Sequence, residues 1–220
     1  MKKGINIDNV NSLFLKRSSR KVFCEGFKEI IPCRNNYGSF LCSVIFAVIP
    51  AIIIASSSDT VELFVKSVET FNGIILSLFG IVFTGYAFFQ ALINDDLLVR
   101  LLASPQKINE KKVEGSNNKS MLQESNEYFI NVMMLDVFAI FISSFLKITI
   151  GSMEKDFTLT NSLILNNTIA FVGIFTYFVI MFRIVWEMKS FVFNIFQLFN
   201  AHAGSKAIEL INQEESKNKS

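Results

Sequence analysis

The chain has 220 residues, 51% of them hydrophobic, 24 of them Phe, and a formal net charge of only +2. Its mean hydropathy of +0.42 is too high for an ordinary water-soluble domain. One His and three Cys (Cys24, Cys33 and Cys42) without C-x-x-C spacing support neither a zinc centre nor a disulfide framework.

Residues 1–37 form a polar, basic leader with no small-residue cleavage site, so it is expected to stay attached rather than act as a signal peptide. Lys16, Arg17, Arg20 and Lys21 sit beside Leu13, Phe14, Val22, Phe23 and Phe27. Such a segment can lie in the headgroup region as an interfacial helix, with those four cations on anionic lipid. The cluster is short and tethered to the bilayer, so direct nucleic-acid binding is not expected.

Four apolar runs follow, at roughly 38–57, 71–93, 129–150 and 165–186. Each approaches the ~20 residues that a helix needs to cross a ~30 Å hydrocarbon core. The first hairpin, 38–93, contains two stripes of small residues. Ser39, Ser43, Ala47, Ala51 and Ala55 recur along run one, where Pro50 is expected to bend the helix. Gly73, Ser77, Gly80, Thr84, Ala87 and Ala91 recur at spacings of four and three along run two. Small residues let backbones approach where lipid supplies no hydrophobic drive, so the second stripe reads as a helix-packing seam. It would face run one within the hairpin, or a second copy in a homo-oligomer.

The loop 94–128 contains Pro105, Gly115 and a Ser/Asn/Lys stretch, and reads as a flexible hinge. Its Asp95–Asp96 pair is explained by helix-end solvation. The second hairpin, 129–186, carries Asp136 in run three and Arg183 in run four. An antiparallel arrangement places them at comparable depth, and an intramembrane ion pair is the expected relief for two costly charges. That pair would lock the hairpin, or belong to an ion or proton pathway. Lys147 is expected to snorkel to the interface, and Asn166 and Asn167 to cap run four. Residues 187–220 read as an amphipathic helix with Ser190, Asn194, Gln197 and Ala201 on one face, ended by Gly204, then a second short amphipathic stretch, Lys206–Ile211, and a disordered tail, 214–220. His202 reads as an ordinary surface residue.

Eighteen of the 21 Lys and Arg lie in the leader, the 94–128 loop and the C-terminal portion, counting Arg183. Basic loops stay cytoplasmic. The expectation is an all-α, polytopic membrane protein with four transmembrane helices as two antiparallel hairpins and both termini cytoplasmic, in the cell inner membrane.

No P-loop, HExxH, GxSxG or kinase signature is present. No catalytic residue, metal or cofactor is expected. In its short length, compact helical membrane part, minimal outer loops and cytoplasmic ends, the chain resembles small multi-pass membrane components of bacterial antiviral defence systems. Retron-associated transmembrane effectors and the Kiwa membrane component (KwaA) share this layout. The resemblance implies a non-enzymatic effector or sensor subunit that perturbs the inner membrane when triggered by a cytoplasmic protein or ribonucleoprotein. It transfers no functional residue. The alternatives are a channel or transporter subunit, or an immunity protein against a membrane-active toxin.

Overall fold

The computed structural model describes residues 19–31, 37–93, 98, 99, 101, 102, 120–154 and 157–217. They form α1 (Ser19–Ile30), α2 (Tyr37–Ala55), α3 (Thr60–Leu92), α4 (Met121–Gly151) and α5 (Leu163–Lys217), with no β-strand among the described residues. Helices α2 to α5 are each long and apolar enough to cross a membrane. Phe141 and Ile148 are 70% exposed and Ile164 is 80% exposed. In water such faces would aggregate; against acyl chains they cost nothing. The chain is an all-α, multi-pass membrane protein, two hairpins by connectivity (α2–α3 and α4–α5) whose main packing runs between them, α3 on α4 and α2 on α5.

The helices outrun the apolar stretches because polar residues extend them. α3 begins at Thr60, where the hydroxyl donates to the carbonyls of Ser57 (2.7 Å) and Ile54 (3.0 Å) and closes a tight turn after α2. Its first turns include Glu62 and Lys66, paired at 2.8 Å. α4 starts at Met121, eight residues before run three, because the Ser120 hydroxyl accepts the Gln123 backbone N–H at 3.3 Å. This is an N-cap, satisfying a donor that the first turn leaves open. α5 runs on through Gly204 to Lys217, so that glycine does not end the helix.

Packing follows a strict seven-residue repeat. α3 buries Val68, Ile75, Val82 and Phe89; α4 buries Leu122, Phe129, Asp136 and Ser143; α5 buries Tyr177, Ile184, Phe191 and Leu198. A heptad repeat keeps one seam facing its partners if the helices supercoil left-handedly. α3 and α4 are antiparallel along their length, from a Glu69–Lys147 ion pair (3.1 Å) to a Gln90–Asn126 hydrogen bond (3.1 Å). Lys147 therefore has a protein partner rather than only lipid. α5 runs parallel to α3, with Phe64 on Tyr177 near one end and Phe88 on Phe199 near the other.

α2 departs from the arrangement expected within the first hairpin. It lies against α5 and scarcely touches α3. Ser43, Ala47, Ala51 and Ala55 are buried there, and Phe46 meets Phe182. α2 continues helically through Pro50. α1 docks on the flank of α4, where Phe23 and Phe27 set their rings edge-on to Phe138 at 5.4 and 4.5 Å. A β-carbon on Gly26 would come within 3.1 Å of the Asn131 carbonyl, so glycine permits this close crossing. The apolar face of α1 is thus spent on α4 rather than laid free in the headgroup region.

The interior divides into two apolar cores. One, at the end of the short connections, gathers Ala47, Ala51, Phe64, Ile75, Ala139 and Phe178. The other, toward the long 94–119 connection, gathers Val82, Phe89, Leu102, Leu122, Phe129 and Phe191.

Candidate functional site: a polar layer between two cores

Asp136 occupies a seam position of α4, between Phe129 and Ser143 of the same repeat. Two contacts fix its level. The Ser143 and Tyr177 hydroxyls are hydrogen-bonded at 3.0 Å, and Phe129 meets Phe191 edge-on at 5.7 Å. Each lies seven positions from Asp136 on α4 and seven from Ile184 on α5, on opposite sides. Asp136 therefore sits at the level of Ile184, beside Arg183. The shared depth expected from the sequence is present.

The expected ion pair is not. Arg183, only 2% exposed, donates from Nη1 to Glu187 Oε2 at 3.1 Å, one turn along its own helix. Asp136 is 0% exposed, and neither carboxylate oxygen has a hydrogen-bond partner among the described residues. The physical reason is local. Glu187 stands four residues from Arg183 on the same helix face, so the pair forms without any tertiary adjustment. Trp186 Nε1 is also buried without a partner, while its ring carries the Lys189 ammonium 5.8 Å from the centroid.

A buried polar group left unbonded costs about 1–3 kcal/mol, so this layer is a local weak point between well-packed cores. Chemically it offers a compensated Arg183–Glu187 pair and an uncompensated carboxyl at the same depth. Among the described residues, no three His, Cys, Asp or Glu side chains come together as a metal site. Asp95 and Asp96 lie outside the described residues.

Toward the aqueous end of α5, Asn194 and Gln197 turn with Glu124, Ser125 and Tyr128 of α4 into a cavity of about 520 Å³. Half of the polar stripe expected on α5 thus lines this cavity. His202 is half-buried, with Nδ1 enclosed and unbonded, rather than an ordinary surface residue.

The six residues of the α3 seam, Gly73, Ser77, Gly80, Thr84, Ala87 and Ala91, are all exposed. A β-carbon on Gly73 or Gly80 would meet nothing within 4 Å. The stripe does not pack on run one. The close contact of α3 is instead at Gly85, where a β-carbon would come within 2.9 Å of Phe191 Cζ. Of the four cations assigned to lipid headgroups, Arg20 is exposed on α1. Lys16 and Arg17 lie outside the described residues, as does the Lys21 side chain. Asn166 does not cap α5. Its amide grips the Thr160 backbone, accepting from N–H and donating to C=O, both at 2.8 Å.

No family model, curated protein or solved structure matches the chain. Its function must be argued from its own geometry.

Two polar contacts, one in the layer and one in the core beside it, are absent from the sequence-based expectations. Glu187 was legible as an i, i+4 partner of Arg183. Tyr177 was legible as a hydroxyl within an apolar run, which needs a buried partner such as Ser143.

Proposed function

We propose that the chain is a non-enzymatic effector or sensor subunit of the inner membrane, with both termini cytoplasmic, worked by a cytoplasmic protein or ribonucleoprotein through α5. One observation carries this reading. α5 is a single helix of 55 residues, about 82 Å at 1.5 Å per residue, against a ~30 Å hydrocarbon core. Its buried seam enters both cores, through Tyr177 and Met181 in one and Phe191 and Leu198 in the other. A force on the aqueous end is therefore delivered to the polar layer, where Asp136 is least well held. The exposed stripe of α3 is the proposed surface for a homo-oligomer. The antiviral setting rests on the resemblance of layout alone.

The test is membrane potential in cells, followed with a potential-sensitive dye on induction and on phage infection. Depolarisation is expected for the native chain. Ala203→Pro, at an exposed position below both cores, should abolish it without reducing the amount in the membrane, because proline breaks the helix. Unchanged potential with intact protein in the membrane overturns the reading. The unpartnered Asp136 carboxyl favours a second reading, an ion-conducting subunit. Flux through reconstituted liposomes that Asp136→Asn abolishes would select it.

A further inference from the structure

At the short-connection end, α3, α4 and α5 part to leave a cavity of about 580 Å³. That lies within the ~300–1,000 Å³ of ordinary ligand pockets. Its walls are apolar: Val61 and Phe64 of α3, Leu146 and Ile150 of α4, Ile169 and Ile174 of α5. Gly173 and Ala170 open it, since a β-carbon on Gly173 would meet nothing within 4 Å.

Polar groups enter from one end only, from the α2–α3 turn (Ser57, Ser58, Thr60), Thr158 and the first turns of α5 (Asn167). The cavity is therefore amphipathic along its length. The α4–α5 connection contributes Phe157 and Leu159 to it, and the clasp of Asn166 on Thr160 pins that connection in place.

We infer that this cavity holds one acyl chain of a bilayer phospholipid, with the ester and glycerol region at the Ser57–Ser58–Asn167 rim. Water is a poor occupant beyond the rim, because a buried water needs two to four polar partners and the polar groups lie at the rim alone. An empty cavity forfeits dispersion contacts on every wall. The cavity lies among helices that span the bilayer, so acyl chains are present at solvent concentration. Lipid tails gain nothing hydrophobic by moving from bilayer to protein, so close packing must hold the chain. The hydroxyl and amide groups of the rim suit the oxygens of the ester and glycerol region. The inference rests on the membrane fold and is independent of the function proposed above.

The test uses full-length protein in nanodiscs containing a phosphatidylcholine with a photoactivatable diazirine midway along one acyl chain. Labelling of peptides carrying Phe64, Leu146 or Ile150 is expected. Gly173→Leu, which fills open space, should reduce that labelling about tenfold. Val172→Leu, on the exposed face beside it, should leave it unchanged. Equal labelling in native and Gly173→Leu protein overturns the inference. So does labelling confined to lipid-facing residues such as Ile164, or labelling by a diazirine fatty acid but not by the phospholipid. If Gly173→Leu fails to insert, native mass spectrometry of the unaltered chain decides: one phospholipid retained per protomer after annular lipid is stripped supports the site, and none overturns it.

Discussion

α2 and α3 carry the same sequence device, a row of small residues along one face, and the fold uses the two rows oppositely. On α2 the row is shut inside, with Ala47 and Ala51 0% exposed against α5. On α3 all six residues face outward, and β-carbons on Gly73 and Gly80 would meet open space. Spacing thus states that a face can approach another backbone. Which backbone it meets is decided by the rest of the helix. α3 also carries the apolar heptad Val68, Ile75, Val82 and Phe89, which claims α4 and α5 and leaves the small residues outside. α2 also carries large apolar residues, Leu41, Ile45, Ile49 and Ile52, but these are the ones it leaves exposed while the small face is buried.

The largest effect should come from filling the closed row. Ala51→Phe places an aromatic ring in a fully packed position, and overpacking costs about 1–3 kcal/mol or more. The expected outcome is loss of folded protein in detergent extracts, seen as a collapsed thermal transition. A normal melt for this variant would mean that α2 is not held against α5.

Next comes Gly85, one residue from the α3 stripe but turned inward. Gly85→Val drives a methyl into Phe191 and should destabilise by about 1–3 kcal/mol. The neighbouring Thr84→Val should be nearly silent in the same melt. Equal effects at both positions would erase the distinction between the two faces of α3.

The polar layer lies level with the middle of the α3 stripe. With Glu69 paired to Lys147 and Gln90 to Asn126, the antiparallel register sets Gly80 opposite Asp136. Because Asp136 has no hydrogen-bond partner among the described residues, Asp136→Leu removes an unbonded group and should stabilise the chain by about 1–3 kcal/mol. Were the carboxyl paired with Arg183, the same substitution would cost about 3–5 kcal/mol by stranding the guanidinium. The sign of the shift in thermal midpoint separates the two.

The four spans were legible because hydrocarbon demands long uncharged runs. The depth shared by Asp136 and Arg183 was legible because an antiparallel hairpin forces it. The extension of α4 back to Met121 was written in Ser120 and Gln123, but polarity there resembled a loop. The pairing of α2 with α5 was not legible, since sequence neighbours joined by a four-residue turn are the natural first guess. The Arg183–Glu187 pair was hidden by its position, since Glu187 stands one residue beyond run four and so outside the apolar pattern.

The smallest effect on the protomer should come from filling the open row, and it decides what that row is for. Gly80→Leu adds a side chain into space outside the chain, so it should not lower the thermal midpoint. Replacing a helix-interior glycine removes a penalty of about 0.8–1.0 kcal/mol relative to Ala, which favours the variant if anything. A second copy seated on the stripe would be pushed off by the same side chain, because close backbone approach is what holds helices together in lipid. Photobleaching of labelled chains in liposomes, at protein-to-lipid ratios low enough to exclude crowding, should show multiple steps for the native chain and single steps for Gly80→Leu. Val82→Ala, cut into the inner seam two residues away on the other side of the helix, should do the reverse and lower the midpoint while keeping the multiple steps. If Gly80→Leu leaves the step distribution as it was, the stripe faces lipid alone, and its small residues serve no contact between copies.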